Sequence, residues 1–157
     1  MTLIECAGGF DITIKKDGTW LYHGSPIGRK SLVKLFASVL IQDNSGAYWL
    51  QTPAEKGQIT VEDAPFVGVA LDVRGCADAQ ELFLHTNLDE CVAIGKDHPL
   101  WVEMKGKEIH PYVRGPRGLP ILVNRATYYA LADIAVDHDG RPGVWSAGVF
   151  FEMEPVA

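Results

Sequence analysis

The sequence lacks the features that would assign it to several large classes of protein. Its 157 residues include only three cysteines, Cys6, Cys76 and Cys91, whose wide spacing forms neither a disulfide framework nor a paired zinc pattern. No apolar run approaches the roughly 18 residues that a membrane span requires. The opening stretch MTLIECAGGF has neither the basic start nor the apolar stretch of a signal peptide. We therefore expect a cytoplasmic protein with reduced cysteines and no membrane partner.

Positive charge is also scarce. Lys and Arg number 14 against 20 Asp and Glu, for a formal net charge of −6. Broad binding to nucleic acid or to anionic membranes needs a surplus of Lys and Arg, so neither is expected. A local basic pocket remains compatible with this composition. Hydrophobic residues make up 47% and charged residues 22%, which is typical of a folded domain rather than a disordered chain.

Patterns for metal binding and nucleophilic catalysis are missing as well. Four possible metal ligands occur within one stretch: His85, Asp89, Cys91 and His98. Their spacing matches no compact zinc or iron pattern. A triad of Ser25, His23 and Asp63 can be assembled on paper, but the chain has no G-x-S-x-G nucleophile elbow. The sequence thus predicts no metal, no cofactor and no catalytic residue.

An internal repeat is the strongest pattern that the chain does contain. The stretches ITIKKDGTWLYHGSPIGRKSLVKLF, from residue 12, and WVEMKGKEIHPYVRGPRGLPILVNRATYY, from residue 101, have the same order of features. Each has a strand-like run, a glycine turn, an aromatic strand, a Gly/Pro/Arg loop and a helix. Comparable turns follow both helices, DNSG at Asp43–Gly46 and DHDG at Asp137–Gly140. This order indicates a duplicated unit.

The remaining segments are extended. The runs GQITVE, FVGVALDV, ELFLHT and CVAIG are short, rich in β-branched or aromatic residues, and bounded by turn residues. The sequence predicts a strand-rich α+β fold with two helices and about ten strands. Each half has the order hairpin, loop, helix, strand. A boundary is expected near Gly75 to Gln80, giving tightly packed halves at 1–77 and 78–157.

The loop GSPIGRKS resembles a phosphate-binding loop but does not qualify as one. Its glycines are one residue too close together, and Pro26 lacks one of the backbone N–H groups that would bind phosphate. Ser25 and Pro26 instead suit the N-cap and first position of a helix. The following run, LVKLFASVLI, has apolar residues at helical spacing, which predicts one buried face.

Arg29 is the unusual residue of this predicted helix. A helical projection places it on the apolar face, in the first turn, where the helix dipole disfavours a cation. Two roles are open. Arg29 forms a structural ion pair with a local carboxylate (Glu55, Glu62 or Asp63), or it binds an anionic ligand where the two halves meet.

The second loop offers a parallel to the first. Arg114 and Arg117 precede the second helix, which is apolar almost all round and is therefore expected to be buried between layers. The four tryptophans, Trp20, Trp49, Trp101 and Trp145, occur in strand contexts that favour packing roles. One or two of them near the basic loops could form a stacking wall for a base.

Several of these motifs together resemble one family. The stretches DGTWLYHGSPIGRKSLVKLF, TPAEK, VEDAPF, HTN, DHPL, PYVRG and GVWSAGVFF are similar to the bacterial "domain of unknown function 1285" family, from about Phe10 to Phe151. The resemblance implies a compact protein of two related halves, the C-terminal one pleckstrin-homology-like. It also implies a nucleotide-like ligand between the halves and a role in signal transduction.

The resemblance also implies a set of ligand-binding candidates. They are Trp20, His23, Arg29, Glu55, Lys56, Asn87, Tyr112, Arg114 and Trp145. One departure concerns the second loop, where the family has a Val-Arg-x-Gly-Leu-Glu-like run and this chain has VRGPRGLP. The additional Pro116 and Pro120 alter the geometry expected around Arg117.

These observations lead to one expected function and two alternatives. The expectation is a non-enzymatic signalling protein that binds an anionic, nucleotide-like ligand at the interface between the halves. A protein partner would recognise the ligand-bound state. The first alternative is a protein-interaction adaptor without a small ligand. The second is a small enzyme, which would need a titratable pair within hydrogen-bond reach in a cleft.

Overall fold

The chain forms two compact units that meet in sequence between Pro65 and Phe66. The computed structural model describes the backbone of Ile4–Glu5 and all of residues 9–155. The division corrects the boundary expected after residue 77. Residues 75 to 80 are the short connection between two paired strands of the second unit, so they cannot separate two units.

The first unit contains seven strands and one helix. The elements are β1 (Ile4–Glu5), β2 (Ile12–Ile14), β3 (Trp20–Tyr22), β4 (Ser25–Pro26), α1 (Lys30–Ser38), β5 (Leu40–Gln42), β6 (Tyr48–Gln51) and β7 (Glu55–Val61). The sheet has the order β4-β3-β2-β7-β6-β5, and β1 also pairs with β7. Strands β1 and β2 run parallel to β7, whereas the other pairs are antiparallel.

Helix α1 begins later than the sequence predicts. Its first residue is Lys30 and Arg29 occupies the N-cap position, with an extended backbone and no side-chain cap. Ser25 and Pro26 are instead strand β4, paired antiparallel with Tyr22 and Leu21 of β3. The predicted cap at Ser25 is therefore wrong, because Ser25 and Pro26 pair with β3 and the helix begins only at Lys30.

The later start of the helix also changes the position of Arg29. Its side chain is exposed, and Val33 and Ala37 are the buried positions of α1. The predicted placement of Arg29 on the buried apolar face is wrong. Within the described residues it forms no ion pair with Glu55, Glu62 or Asp63, and an exposed guanidinium does not require one.

The turn after β5 is held by hydrogen bonds between Asp43 and residues close to it in sequence. Asp43 accepts hydrogen bonds from the backbone N–H of Ser45 and Ala47 and from the Ser45 hydroxyl. Its other oxygen accepts from Nε1 of Trp49 at 2.8 Å. The hydrogen bonds from Ser45 and Trp49 lower the pKa of the Asp43 carboxyl to about 2. Asp43 thus ties the turn to strand β6.

The second unit contains nine strands and one helix. The elements are β8 (Phe66–Arg74), β9 (Glu81–Thr86), β10 (Cys91–Ala93), β11 (Leu100–Lys105), β12 (Glu108–Arg114), β13 (Pro120–Val123), α2 (Arg125–Asp133), β14 (Val136–His138), β15 (Arg141–Ser146) and β16 (Val149–Glu152). Six strands form a sheet of order β10-β9-β8-β13-β12-β11, and the last three form a separate antiparallel sheet. Strands β8 and β13 are parallel, and the other pairs are antiparallel.

One face of the six-stranded sheet forms the core of the second unit. The fully buried side chains on this face include those of Phe66, Leu82, Leu84, Val113 and Ile121. Ser146 of β15 connects the small sheet to this core, since its hydroxyl donates to the Ile94 carbonyl and accepts from the Leu82 N–H. The opposite face is mixed, since Val67 and Tyr112 are buried on it whereas Asp72 and Arg114 are exposed.

Helix α2 is less buried than its composition suggests. Asn124 caps it by accepting a hydrogen bond from the Thr127 N–H at 2.9 Å. Thr127 and Leu131 are buried, whereas Tyr129 is 59% exposed. The expectation that this helix is buried between layers is therefore wrong. Its aromatic residues are accommodated at the surface because only one stripe of the helix faces the sheet.

The fold class predicted from sequence is confirmed, with more and shorter strands than expected. The described residues form two α-helices and sixteen strands rather than about ten. The order of hairpin, short strand, helix and antiparallel strands recurs in both units. Duplication, and a pleckstrin-homology-like C-terminal half, stay predictions. Neither described helix, at nine residues each, has the length and apolar character needed to cross a membrane.

Candidate ligand-binding site

The hairpin of β11 and β12 carries two of the predicted site residues, Tyr112 and Arg114. Its register pairs Lys105 with Glu108 across the turn at Gly106 and places Trp101 directly opposite Tyr112. Pro111 is opposite Val102 in this register. That pair is a non-hydrogen-bonded one, because the Arg114 N–H bonds to the Pro99 carbonyl three positions away and the pairs alternate. A proline is therefore tolerated inside the strand.

Alternation along the hairpin separates its two faces. Leu100, Val102 and Val113 point to the core and are at most 5% exposed. Trp101, Tyr112 and Arg114 share the other face. Of these, Tyr112 is buried, Trp101 is half-buried and Arg114 is exposed.

The side chains on this outer face form a stack of cations and rings. The Trp101 and Tyr112 rings are stacked, with centroids 5.4 Å apart and planes inclined by 21°. The Arg114 Cζ lies 4.7 Å from the Trp101 ring centroid, and the Lys105 Nζ lies 5.2 Å from the Tyr112 centroid. Arg114 and Tyr112 thus both contact the Trp101 ring. We call these four residues the cation–aromatic stack.

Arg114 is held in place by contacts to both its backbone and its side chain. Its N–H donates to the Pro99 carbonyl at 3.0 Å, and its carbonyl accepts from His98 Nδ1 at 2.8 Å. A guanidinium N–H also donates to the Gly118 carbonyl at 3.1 Å. That bond uses one of five guanidinium donors, and the side chain remains exposed. Arg114 is thus a fixed cation that still faces solvent.

The loop that follows Arg114 is compact despite its two additional prolines. The Gly115 N–H bonds to the Leu119 carbonyl at 2.7 Å, and Pro116–Gly118 form a single tight turn. Arg117 has φ of 57°, a left-handed conformation uncommon outside glycine. Pro120 begins β13. A side chain at Gly115 would collide with the Ile121 side chain and the Leu119 carbonyl, so the close approach there requires glycine.

The predicted site residues of the first unit are dispersed over it. Trp20 is a core residue, 2% exposed and stacked on Phe36. His23 is exposed, with its Nδ1 2.8 Å from Asp11 Oδ2. Arg29 and Glu55 are exposed.

Lys56 belongs to a different group from the other candidates of the first unit. Its Nζ lies 4.4 Å from the ring centroid of Trp49, the residue tied to the turn of Asp43. This contact combines a cation with a ring, as in the cation–aromatic stack, but the same tryptophan already has a structural partner. The contact of Lys56 with Trp49 therefore joins the neighbouring strands β7 and β6.

Two predicted residues of the second unit lie away from the stack. The Asn87 side chain accepts from the Val67 N–H at 3.0 Å and its own N–H donates to the Val67 carbonyl, so Asn87 fixes the turn after β9. Trp145 packs edge-on against Phe150 of β16 and against His138. Only Tyr112 and Arg114 of the nine candidates are thus brought together in one group. The assembly of all nine into one site stays a prediction.

Two residues of the cation–aromatic stack, Trp101 and Lys105, were absent from the nine candidates, and so was His98, whose ring bonds to the Arg114 carbonyl. A usable signal was present for Trp101, because counting back from the Lys105–Gly106 turn pairs it with Tyr112. No comparable signal exists for His98, which reaches Arg114 through a backbone carbonyl. Among the described residues, no group of three or more His, Cys, Asp or Glu side chains is arranged to hold a metal ion.

Comparisons with known proteins identify relatives over nearly the whole chain. Residues 5–64 match the model of the N-terminal domain of unknown function DUF1285, and residues 65–153 match the model of its C-terminal domain. The junction of the two matches lies next to the structural division between Pro65 and Phe66. No curated protein sequence matches significantly.

Two solved structures are similar to the chain. A DUF1285 family protein from Silicibacter pomeroyi DSS-3 is 37% identical, with a TM-score of 0.88 over 94% of this chain and 81% of that one. A DUF1285 family protein from Shewanella baltica OS155 is 28% identical, with a TM-score of 0.60 over 79% of this chain and 91% of that one. With both halves matched in order, the chain belongs to the DUF1285 family.

Proposed function

We propose that this protein is a non-enzymatic sensor that binds a small anionic, nucleotide-like ligand through Arg114. The observation that carries the proposal is the cation–aromatic stack, in which an exposed guanidinium is fixed over Trp101 at 4.7 Å. The proposal places the protein in the bacterial cytoplasm and in signal transduction, as the sequence resemblance implies.

The fixed guanidinium supports binding of an anion. Arginine presents its donors in a planar fork that matches a carboxylate or phosphate with two parallel hydrogen bonds. The bonds at Pro99, His98 and Gly118 order Arg114 before a ligand arrives. Pre-ordering reduces the conformational entropy that binding would otherwise cost, about 0.5–1.5 kcal/mol for such a side chain.

The stack also supports a ligand with a flat ring. Tyr112 and Arg114 both contact the Trp101 ring, which is half-buried. The guanidinium is a planar, weakly hydrated group whose outer face can stack on an aromatic ring. A nucleotide would place its base against this face or its phosphate against the fork.

Ligand binding at Arg114 would serve signalling if it changed the protein surface next to Arg114. The Gly118 carbonyl, bonded to Arg114, belongs to the loop from Gly115 to Pro120. A ligand that competes for the guanidinium would alter this loop and hence the surface offered to a protein partner. Such a change requires different affinities for the two loop states.

Thermal-shift screening of the full chain against a nucleotide set tests the proposal. A ligand at about 100 times its dissociation constant should stabilise the protein by about 2.7 kcal/mol. Arg114→Ala should remove that shift while the protein stays folded, and Arg114→Lys should restore it only in part, because a lysine lacks the fork.

Arg74 provides a matched control for this experiment. Its Cζ lies 4.7 Å from the Phe83 ring centroid, the same separation as between Arg114 and Trp101, but on a different pair of strands. Arg74→Ala should therefore leave the nucleotide shift unchanged. If no nucleotide or other anion shifts melting, or if Arg114→Ala and Arg74→Ala lower the shift equally, the proposal is wrong.

A protein-interaction adaptor without a small ligand is a second candidate, favoured by the outer face of the three-stranded sheet. Val136 is 47% exposed there, and Trp145 and Phe150 stack edge-on beside it with His138. Exposed apolar patches of this kind occur at protein interfaces. If the protein is such an adaptor, Val136→Asp should abolish its association with the partner protein. Nucleotide screening should then find no ligand.

A further inference from the structure

Three neighbouring strands of the second unit bring an acid, an imidazole and a thiol to one sheet face. Cys91 of β10 is directly opposite His85 of β9, and His85 is opposite Ala70 of β8, two positions from Asp72. Their sequence neighbours on the opposite face, Leu84 and Val92, are buried in the core. Asp72, His85 and Cys91 therefore share the outer face. We call these three residues the Cys91 cluster.

The pairing of His85 with Cys91 is of the closer kind found in antiparallel sheets. The next pair toward the turn, Thr86 and Glu90, is hydrogen-bonded, with the Thr86 N–H donating to the Glu90 carbonyl at 2.8 Å. Pairs alternate along the ladder, so His85 and Cys91 form a non-hydrogen-bonded pair. Side chains of such pairs approach most closely, with Cβ atoms about 4.5–5.5 Å apart.

The hydrogen bond on the other side of His85 determines which ring nitrogen is available. The His85 Nε2 lies 2.7 Å from the Asp72 Oδ2. An ionised carboxylate only accepts, so Nε2 carries the proton of the neutral ring and Nδ1 keeps a lone pair. Both side chains remain accessible, at 39% exposure for His85 and 57% for Asp72. The bare Nδ1 can thus accept a proton from the neighbouring thiol.

We propose that Cys91 is a reactive thiol that exchanges with small disulfides, with His85 as its base and Asp72 as the residue that positions the imidazole. The register supplies the proximity of the His85 and Cys91 side chains on one face of the sheet. Cys91 is exposed and free, so a solute can reach it. This function is separate from anion binding at Arg114.

The reaction balances without any additional oxidant. The Cys91 proton moves to His85 Nδ1, and Asp72 stabilises the resulting imidazolium. The thiolate attacks one sulfur of a small disulfide, forming a new S–S bond to Cys91 as the original S–S bond breaks. The departing thiolate takes the proton from His85. Cys91 is oxidised to a mixed disulfide while half of the incoming disulfide is reduced to a thiol.

The second exposed cysteine provides an internal reference. Cys76 lies in the connection between β8 and β9, outside any strand, so it has no cross-strand histidine. An ordinary thiol is only a few per cent thiolate at neutral pH. We expect iodoacetamide to alkylate Cys91 about tenfold faster than Cys76 at pH 7, measured on peptides from the folded full chain by mass spectrometry.

Two variants separate a chemical role from a structural one. His85→Gln should bring the Cys91 rate down to that of Cys76, and Asp72→Asn should lower it partly. Circular dichroism of each variant checks that it stays folded, and Cys76, which is already exposed, supplies the reference rate in the same sample. Equal rates at the two cysteines in the wild-type protein, or a Cys91 rate unaffected by His85→Gln, would overturn the proposal.

The pH profile and a disulfide probe complete the test. Besides Asp72, the charged side chains facing this surface are Arg74 of β8 and Glu81 of β9, and Asp89 lies in the adjoining turn. The ratio of the Cys91 rate to the Cys76 rate should be higher in the wild-type protein than in His85→Gln throughout the profile. Oxidised glutathione should form a mixed disulfide at Cys91 before Cys76, and preferential labelling of Cys76 would contradict the assignment.

Discussion

Replacing Ser146 with alanine should reveal how the two sheets of the second unit are joined. The Ser146 side chain is fully buried, donates to the Ile94 carbonyl at 2.6 Å and accepts from the Leu82 N–H at 2.9 Å. Both partner residues are also fully buried. Alanine would leave two backbone groups without their partner in a site that water does not reach.

The expected loss follows from those two groups. Each buried backbone group left unsatisfied costs about 1–3 kcal/mol, so Ser146→Ala should lower the free energy of unfolding by roughly 2–6 kcal/mol. For a chain of this length, that corresponds to a fall in Tm of roughly 4–24 °C. Urea unfolding followed by circular dichroism and by tryptophan fluorescence measures both the change and whether the units unfold together.

Thr127 offers a matched control in the same unit. Its hydroxyl is buried with no hydrogen-bond partner among the described residues. Thr127→Val keeps the shape and removes an unsatisfied polar group, so it should be neutral or stabilising by up to about 1 kcal/mol. A Ser146→Ala protein within about 0.5 kcal/mol of wild type, or a Thr127→Val protein as destabilised as Ser146→Ala, would refute this account of buried hydroxyls.

Three further predictions concern the first unit. Because Arg29 is exposed, Arg29→Ala should change the free energy of unfolding by no more than about 0.5 kcal/mol, and unfolding of this variant would contradict the assigned exposure. The pKa of Asp43 is lowered from 3.8 to about 2, so its contribution is present above about pH 4 and lost as the pH falls toward 2. The difference in urea midpoint between wild type and Asp43→Asn should therefore shrink over that range, and a constant difference would argue against it. A Cβ added at Gly57 would lie closer than 3.0 Å to ring carbons of Phe10, whereas at Gly28 it would meet nothing within 4 Å. Gly57→Ala should thus lose about 1–3 kcal/mol and Gly28→Ala almost nothing, as measured by thermal unfolding.

Turns and strand faces were predictable because they depend on nearby residues. The turn at Asp43 is made by bonds to residues two to six positions away, so its sequence is sufficient to form it. The β-branched and aromatic residues of FVGVALDV and ELFLHT likewise indicated the strands β8 and β9, and Leu82 and Leu84 of β9 are buried. Local chemistry determines both features.

The candidate site was predictable only in part. Tyr112 and Arg114 were candidates through the family resemblance, and their two-residue spacing in a strand places them on one face. The contacts that fix Arg114 come from His98 and Gly118, one of them through the carbonyl of Arg114 itself. No side-chain pattern reports on such backbone bonds.

The sequence by itself determined a strand-rich α+β chain with two helices, its turns, and its membership of a family. Tertiary structure decided where α1 begins, because Ser25 and Pro26 pair with β3 rather than cap a helix. It also decided the boundary at Pro65, because β8 pairs in parallel with β13, which follows it by more than 40 residues. Pairing between distant strands depends on closing long loops, and no local propensity specifies the partner.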